Sequence, residues 1–232
     1  MSAAAAPVGR RERNRQTKIK TILDTAMSLV VEGGIEAMTI HAIARKLDWA
    51  VGAMYRYFPS KDALLAELQC RVIAEYRVDM MALLDKYERS HSDKPLWTLA
   101  LTARHYAYYL HTREAHFRLI SLALTDSKQY LPDAEGLKVM AEVHPILQRL
   151  TNVFERAQQQ KAITVSDIAS CTLVYWTAVQ GVLSMKKLER FAPDQLNNER
   201  LLRHTLDTLF TGWGASHQNV EQAFLKAEEW LK

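Results

Sequence analysis

The chain has 232 residues, 48% of them apolar, and a net charge of +4. It can bury a sizeable core, and its few Gly and Pro residues, with no alternating Val/Ile/Thr runs, exclude a strand-rich protein and read as all-α. Residues 1–61 hold ten Lys/Arg against five Asp/Glu, and the rest hold twenty against twenty-one. The positive charge therefore belongs to the first part of the chain, as in a nucleic-acid-binding module joined to a nearly neutral domain.

In chain order, residues 1–16 read as a basic arm. Its Ala-rich first nine residues are expected to be disordered, and Arg10, Arg11, Arg13 and Arg15 lie in a polar stretch without apolar period. Such an arm is either a solvated tail or a segment that follows DNA phosphates or enters the minor groove. No apolar core follows these charges, so the segment is not a secretory signal, and a cytoplasmic protein is expected. Ile19, Ile22, Leu23, Ala26, Met27 and Val30 then mark a helix over about Thr17 to Glu32, ended by Gly33-Gly34 in a left-handed cap.

Ile40, Ile43, Ala44 and Leu47 space a short amphipathic helix whose N-cap is Thr39. Asp48 breaks the pattern. A second short segment, Ala50 to Arg56, carries Met54 and Tyr55 toward the first helix, and Pro59-Ser60-Lys61-Asp62 stops it and caps the next. This is a helix-turn-helix inside a three-helix head.

Residues 17–68 resemble the DNA-binding domain of the TetR/AcrR family of bacterial transcriptional repressors. The resemblance rests on the first-helix stripe, Thr39-Ile40, Ala44, Leu47, Gly52, Met54-Tyr55, Tyr57 to Lys61 and Leu64-Leu65. The chain departs from the family pattern at Asp48-Trp49, where a Gly and a small aliphatic residue are usual, and at Ala50, where a capping Ser is usual. Asp48 is then a candidate cap for the recognition helix. The resemblance implies a head over 17–62 and a larger helical body for effector binding and dimerisation over 63–232.

It also implies base-facing positions at Val51, Gly52, Ala53 and Arg56, with His41 near the groove. Apolar contacts to thymine methyls and an Arg56 bond to guanine would supply direct readout, while Gly52 serves close helix packing equally well. Phosphates fall to Tyr57 and Lys61, to Thr39, and to Tyr55; Phe58 packs inside the head.

Beyond the head, helices are expected over Ser60 to Tyr87, Leu96 to His111, Glu114 to Leu124, Leu137 to Gln160, Ser166 to Glu189, Gln195 to Trp213 and Ser216 to Leu231. Loops are expected at Arg89 to Pro95 and Thr125 to Gly136, and Pro145 either kinks its helix or marks its start. Cys70 and Cys171 read as buried thiols rather than a disulfide. Ile168 to Met185 is uncharged and long enough to raise a transmembrane reading. Ser170, Thr172, Thr177, Gln180 and Ser184 favour instead a buried helix at a subunit interface, with no membrane partner.

That interface is expected from Ala178, Gly181 and Val182 on the earlier helix and Leu202, Leu206, Leu209 and Trp213 on the later one; the alternative is that these stripes fill the core of one chain. Family resemblance implies a homodimer with a four-helix interface, and two recognition helices about 34–36 Å apart read a palindromic operator on double-stranded DNA. It further implies a small-molecule pocket, with a tilt of the fourth helix resetting the heads. Candidate lining residues are Met80, Leu84, Trp97, Leu101, His105, Tyr108, His116, Ile120, Phe154, Tyr175 and Trp176, each of which also reads as ordinary core. Such a lining suits an apolar or aromatic effector with one or two polar groups.

The sequence carries no metal motif, cofactor loop or catalytic signature, so catalysis would have to come from scattered residues such as His105, Tyr109 and Asp126. The function expected is a ligand-responsive transcriptional regulator, a repressor by family default. The rival is a constitutive DNA-binding dimer with no effector.

Overall fold

The structure is a computed structural model that describes residues 9–91, 93–124 and 131–230. Ten α-helices and two short 3₁₀ turns make up the regular structure, and no strand occurs among the described residues. The chain divides into two compact units, Met1–Arg71 with Ser127–Val139, and Val72–Asp126 with Met140–Lys232.

In the first unit, α1 spans Arg10–Gly33, α2 Ile40–Leu47, α3 Val51–Met54, and α4 begins at Lys61. Ile22, Ala26, Val30, Met38, Ile43, Met54, Phe58, Leu64 and Leu68 are all buried. These positions recur every three or four residues along α1, α2 and α4, so each helix presents one stripe to a common core. The unit reaches Arg71 because Leu64, Leu65 and Leu68 of α4 belong to that core.

Two sequence expectations for α1 need correction. The basic segment from Arg10 is helical and not a disordered arm; residues 1–8 lie outside the described residues. Nothing between Arg10 and Thr17 breaks a helix, Arg, Glu and Gln favour one, and Gln16 donates to Glu12 at 3.3 Å one turn back. At the other end, Gly34 takes φ +77° but ψ −178°, an extended glycine conformation rather than the left-handed helical one. A Cβ on Gly33 would lie 2.8 Å from that of Ala37, so the chain doubles back too tightly for a side chain.

Thr39 caps α2, its Oγ1 accepting the Ala42 N–H at 3.0 Å. Asp48 is not the N-cap of α3. It ends α2 in the left-handed conformation (φ 55°, ψ 42°), doing the job a glycine would do, while Ala50 precedes α3 with no side-chain cap. α3 itself closes at Met54; Tyr55 to Tyr57 continue as turns, with Tyr57 N–H and Phe58 N–H both donating to the Met54 carbonyl. Ser60 Oγ then accepts the Ala63 N–H at 3.0 Å and starts α4.

In the second unit, α4 continues to His91, past the expected loop at Arg89, and α5 (Pro95–Thr112) follows at once with proline in its first turn. α6 is Glu114–Leu124, and the 125–130 part of the expected break lies outside the described residues. α7 starts earlier than expected, at Asp133, and runs to Gln159 with Pro145 inside it. α8 is Ile168–Ser184, shorter than expected because the chain tightens into a 3₁₀ stretch over Lys186–Phe191. α9 (Asn198–Gly212) and α10 (His217–Trp230) complete the unit; Leu231 is outside the described residues.

α5 is central, with eleven of its residues buried, and α10 packs on α5 and α9 through Val220, Ala223, Phe224 and Ala227. Charged ties join α4 to its neighbours: Glu88 accepts from Arg149 at 2.8 Å and from Arg156, Arg77 meets Glu142 at 3.1 Å, and His116 meets Glu75 at 3.3 Å. Cys70 and Cys171 are half-buried rather than buried, and burial pushes the Cys171 thiol up.

Candidate functional site

The helix-turn-helix presents two surfaces. One is the core face just described, on which Met54 anchors the four-residue α3. The other is open. His41, Gly52, Tyr55, Arg56 and Lys61 are exposed, and Thr39, Val51, Ala53 and Tyr57 are half-buried, so none of the nine candidate DNA-contacting residues is used up by the core. Tyr55 corrects the expectation that it faces the first helix; it is 49% exposed because α3 ends before it and the turn swings it outward.

Trp49, which stands where a small residue is usual, is half-buried and holds two of these elements together. Its ring lies 6.2 Å from that of Tyr57, and Lys18 Nζ of α1 sits 5.3 Å from its centroid. The cation is drawn to the ring face, which fixes α1 beside the turn that leads into α3. Elsewhere in this unit, a hydrogen bond from Lys20 and the adjacent Arg71 guanidinium hold the Asp24 carboxyl below its ordinary range.

The second unit contains a narrow apolar cavity among five helices. α4 contributes Ile73, Tyr76 and Met80; α5 Thr102, Ala103 and Tyr106; α6 Ile120 and Leu124; α7 Val143, Ile146, Leu147 and Leu150; and α8 Tyr175, Trp176 and Val179. The centre of a water molecule can reach about 40 Å³ of it, space for roughly three waters. No charged side chain lines it. Its polar groups are hydroxyls already engaged with protein: Tyr175 donates to the Leu99 carbonyl at 2.7 Å and lies 2.6 Å from Thr102 Oγ1, while Tyr106 donates to Gln180 at 2.6 Å. Burial pushes both tyrosines far above their ordinary pKa, so they stay neutral.

Of the eleven expected pocket residues, Met80, Ile120, Tyr175 and Trp176 line this cavity. The other seven do not. Leu84, Leu101 and Phe154 are fully buried in closed core, and Tyr108 is 55% exposed. Trp97 packs near His91, His105 stacks on the outer side of Tyr76, and His116 is tied to Glu75. The lining of α4 and α7 follows regular stripes, 73/76/80 and 143/146/147/150, which the sequence does display. On α5 no phase was readable, because nearly every side of that helix is apolar.

The expected pairing residues also divide. Leu202 and Leu206 are buried within the chain, because α9 packs between α8 and α10, so they are unavailable to a partner. Ala178, Val182, Leu209 and Trp213 are half-buried, and Gly181 is exposed. α8 adds residues not anticipated: Leu173, Val174 and Met185 are 48%, 46% and 40% exposed. With Gly181 they form an apolar face. The stretch Ile168–Phe191 is long and apolar enough to cross a bilayer by composition, yet its buried Thr172, Tyr175 and Gln180 pack and hydrogen-bond inside the unit.

Residues 22–68 match the family model described as bacterial regulatory proteins, tetR family. The HTH-type transcriptional repressor KstR of Rhodococcus jostii (strain RHA1) is 33% identical, over 44% of this chain and 55% of that protein. KstR of Mycobacterium tuberculosis is 35% identical, over 36% and 44%. The chain thus spans about half the length of the curated relatives it matches. Among solved structures, RolR in complex with resorcinol superposes with a TM-score of 0.62 at 16% identity, over 93% of this chain and 95% of RolR. SmeT, repressor of the Stenotrophomonas maltophilia multidrug efflux pump SmeDEF, gives 0.60 at 20%, over 86% and 91%. At these identities the structural likeness concerns the fold.

Proposed function

This chain belongs to the TetR family of bacterial regulatory proteins, and from that premise we propose that it is a homodimeric, sequence-specific regulator, a repressor released from a palindromic operator by a small effector. The observation that carries the reading is the helix-turn-helix itself. A Thr39-capped α2 and a short α3 are held by Met54, while His41, Gly52, Tyr55, Arg56 and Lys61 stay exposed. Arg56 supplies hydrogen bonds to a base edge, and Lys61 and Tyr57 grip phosphates. The reading is of a regulator, not an enzyme, working in the cytoplasm without a cofactor.

Pairing runs through the apolar face of α8, with Leu209 and Trp213 of α9 at its edge. The cavity of the second unit receives the effector. Its uncharged lining favours a neutral apolar or aromatic molecule that competes for the Thr102, Tyr106 and Tyr175 hydroxyls, since a buried unpaired charge is costly. The resorcinol found with RolR is a molecule of that kind. Binding must favour the form that fits DNA less well, because equal affinity for both forms shifts nothing.

The narrowness of the cavity supports a second reading, a constitutive dimer that takes no effector. One experiment separates the two. Selection of the purified protein against random duplexes should enrich a palindrome, and a mixed metabolite and lipid extract should then release it. Failure to enrich any site refutes the regulator; a site that no fraction releases favours the constitutive dimer.

A further inference from the structure

We infer that the first two turns of α1 form a rigid basic overhang that lies along the DNA sugar-phosphate backbone beside α3, extending the footprint of the head beyond the helix-turn-helix. The inference rests on the DNA-binding reading above and adds a surface to it.

Three observations meet here. First, α1 begins at Arg10, whereas its burial begins only with Ile22; residues 10–18 are all exposed. More than two turns of helix thus project past the core that stabilises the rest. A free helix of that length would be marginal, but one continued from a packed helix adds a hydrogen bond for each residue ordered. Gly9 starts it, its carbonyl accepting from Glu12 and Arg13 N–H groups at 3.0 Å.

Second, the charges on the overhang are sorted. Arg11, Arg15 and Lys18 follow one another at i, i+4 and i+7, in line with the buried Ile22 and about 10 Å from end to end along the axis. Among the described residues no carboxylate forms an ion pair with any of the three. Glu12 lies a quarter-turn away, where it accepts from Gln16.

Third, the direction of the ridge is known. Lys18 lies over Trp49, in the turn that delivers the chain into α3, and Trp49 in turn neighbours Tyr57. The line that contacts protein at Ile22 thus passes the start of α3 at Lys18 and continues as Arg15 and Arg11. A duplex seated on α3 would bring its backbone against that line. A regular row of cations with no protein counter-charge is matched by a row of phosphates, and releasing their counterions supplies the affinity.

The test uses the full chain, its selected duplex and an unrelated duplex, with affinity followed over a salt series. Arg11→Gln, Arg15→Gln and Lys18→Gln together should weaken binding to both duplexes by a similar factor and leave the preference between them unchanged. Each lost phosphate contact flattens the slope of log affinity against log salt by about 0.9, so three per head in a dimer remove about 5. Between about 50 and 200 mM salt the natural protein should then lose about a thousandfold more affinity than the variant. An unchanged slope overturns the overhang while leaving the regulator reading intact; a natural protein that binds no duplex refutes that reading instead.

A second variant, Gln16→Gly with Thr17→Gly, keeps every charge and interrupts the helix. Affinity falling toward that of the triple variant supports a rigid overhang. Affinity equal to that of the natural protein marks a flexible tail and overturns the helical placement. Matching thermal transitions confirm that both variants keep the folded head.

Discussion

Replacing Gly181 with leucine probes the proposed pairing face at a point where the chain itself offers no resistance. A Cβ built there meets nothing within 4 Å, and the residue is exposed on α8. In a lone chain the change swaps a poor helix former for a good one and adds roughly 0.8 kcal/mol of stability. Across a two-fold axis the same side chain is met twice. Overpacking a close contact costs about 1–3 kcal/mol, so two copies weaken the dimer by about 2–6 kcal/mol, or roughly thirtyfold to ten-thousandfold in dissociation constant.

Sedimentation equilibrium over a concentration series reads that constant, and a urea melt of the dilute chain reads the stability. The expected pair of results is a weaker dimer made of a slightly more stable protomer, with operator affinity falling as the dimer dissociates. An unchanged dimer constant would place the interface elsewhere and refute the argument from the exposed α8 face.

Three further outcomes are expected. Arg56→Ala should relax the preference at one base position, seen as an altered selection profile, whereas Lys61→Ala should weaken all duplexes alike and lower the salt slope by about one. Asp48→Gly should raise stability by roughly 0.5–1 kcal/mol in a urea melt, because the left-handed site at φ 55° strains any residue with a Cβ; a loss of stability would show that the Asp48 side chain has a role of its own. Burial, with Arg113 adding to it and Asp79 opposing it, holds the His105 pKa below its ordinary 6.5. The unfolded chain then binds a proton that the folded chain refuses, so this contribution to stability is present above pH 6.5 and is lost as pH falls through and below it. His105→Gln should flatten the decline of the urea midpoint on acidification, and an unaltered decline would rule the imidazole out as its source.

Much of the head was legible because its signals are local. Thr39 has a hydroxyl three residues before the N–H it accepts, the stripe Ile40/Ile43/Ala44 lies within one short helix, and Ser60 follows a proline that stops the preceding turn. α6 was placed from Glu114 to Leu124 for the same reason: its break and its apolar stripe are adjacent in the chain. The overhang of α1 was missed because Arg10 to Gln16 show no apolar period, although they contain nothing that stops a helix. Polar residues of good helical propensity extend a packed helix without announcing it.

The body was less legible, and the reason lies in what apolar residues fail to specify. Leu202 and Leu206 make a stripe that fits a partner chain as well as it fits the chain's own core. Only the packing of α9 against α8 and α10 decides for the core and leaves Leu173, Val174, Gly181 and Met185 of α8 outside. Likewise Thr102 and Tyr106 border a void while Leu101 and Tyr108 do not, a difference of one or two positions on a helix with no polar face to set its phase. By itself, then, the sequence determined the all-α class, the helix-turn-helix and its exposed residues, since each depends on neighbours within a turn or two. The cavity, the free face of α8 and the partners of the buried tyrosines were decided by tertiary structure alone, because burial is a property of which helices meet, and interchangeable apolar side chains do not encode that meeting locally.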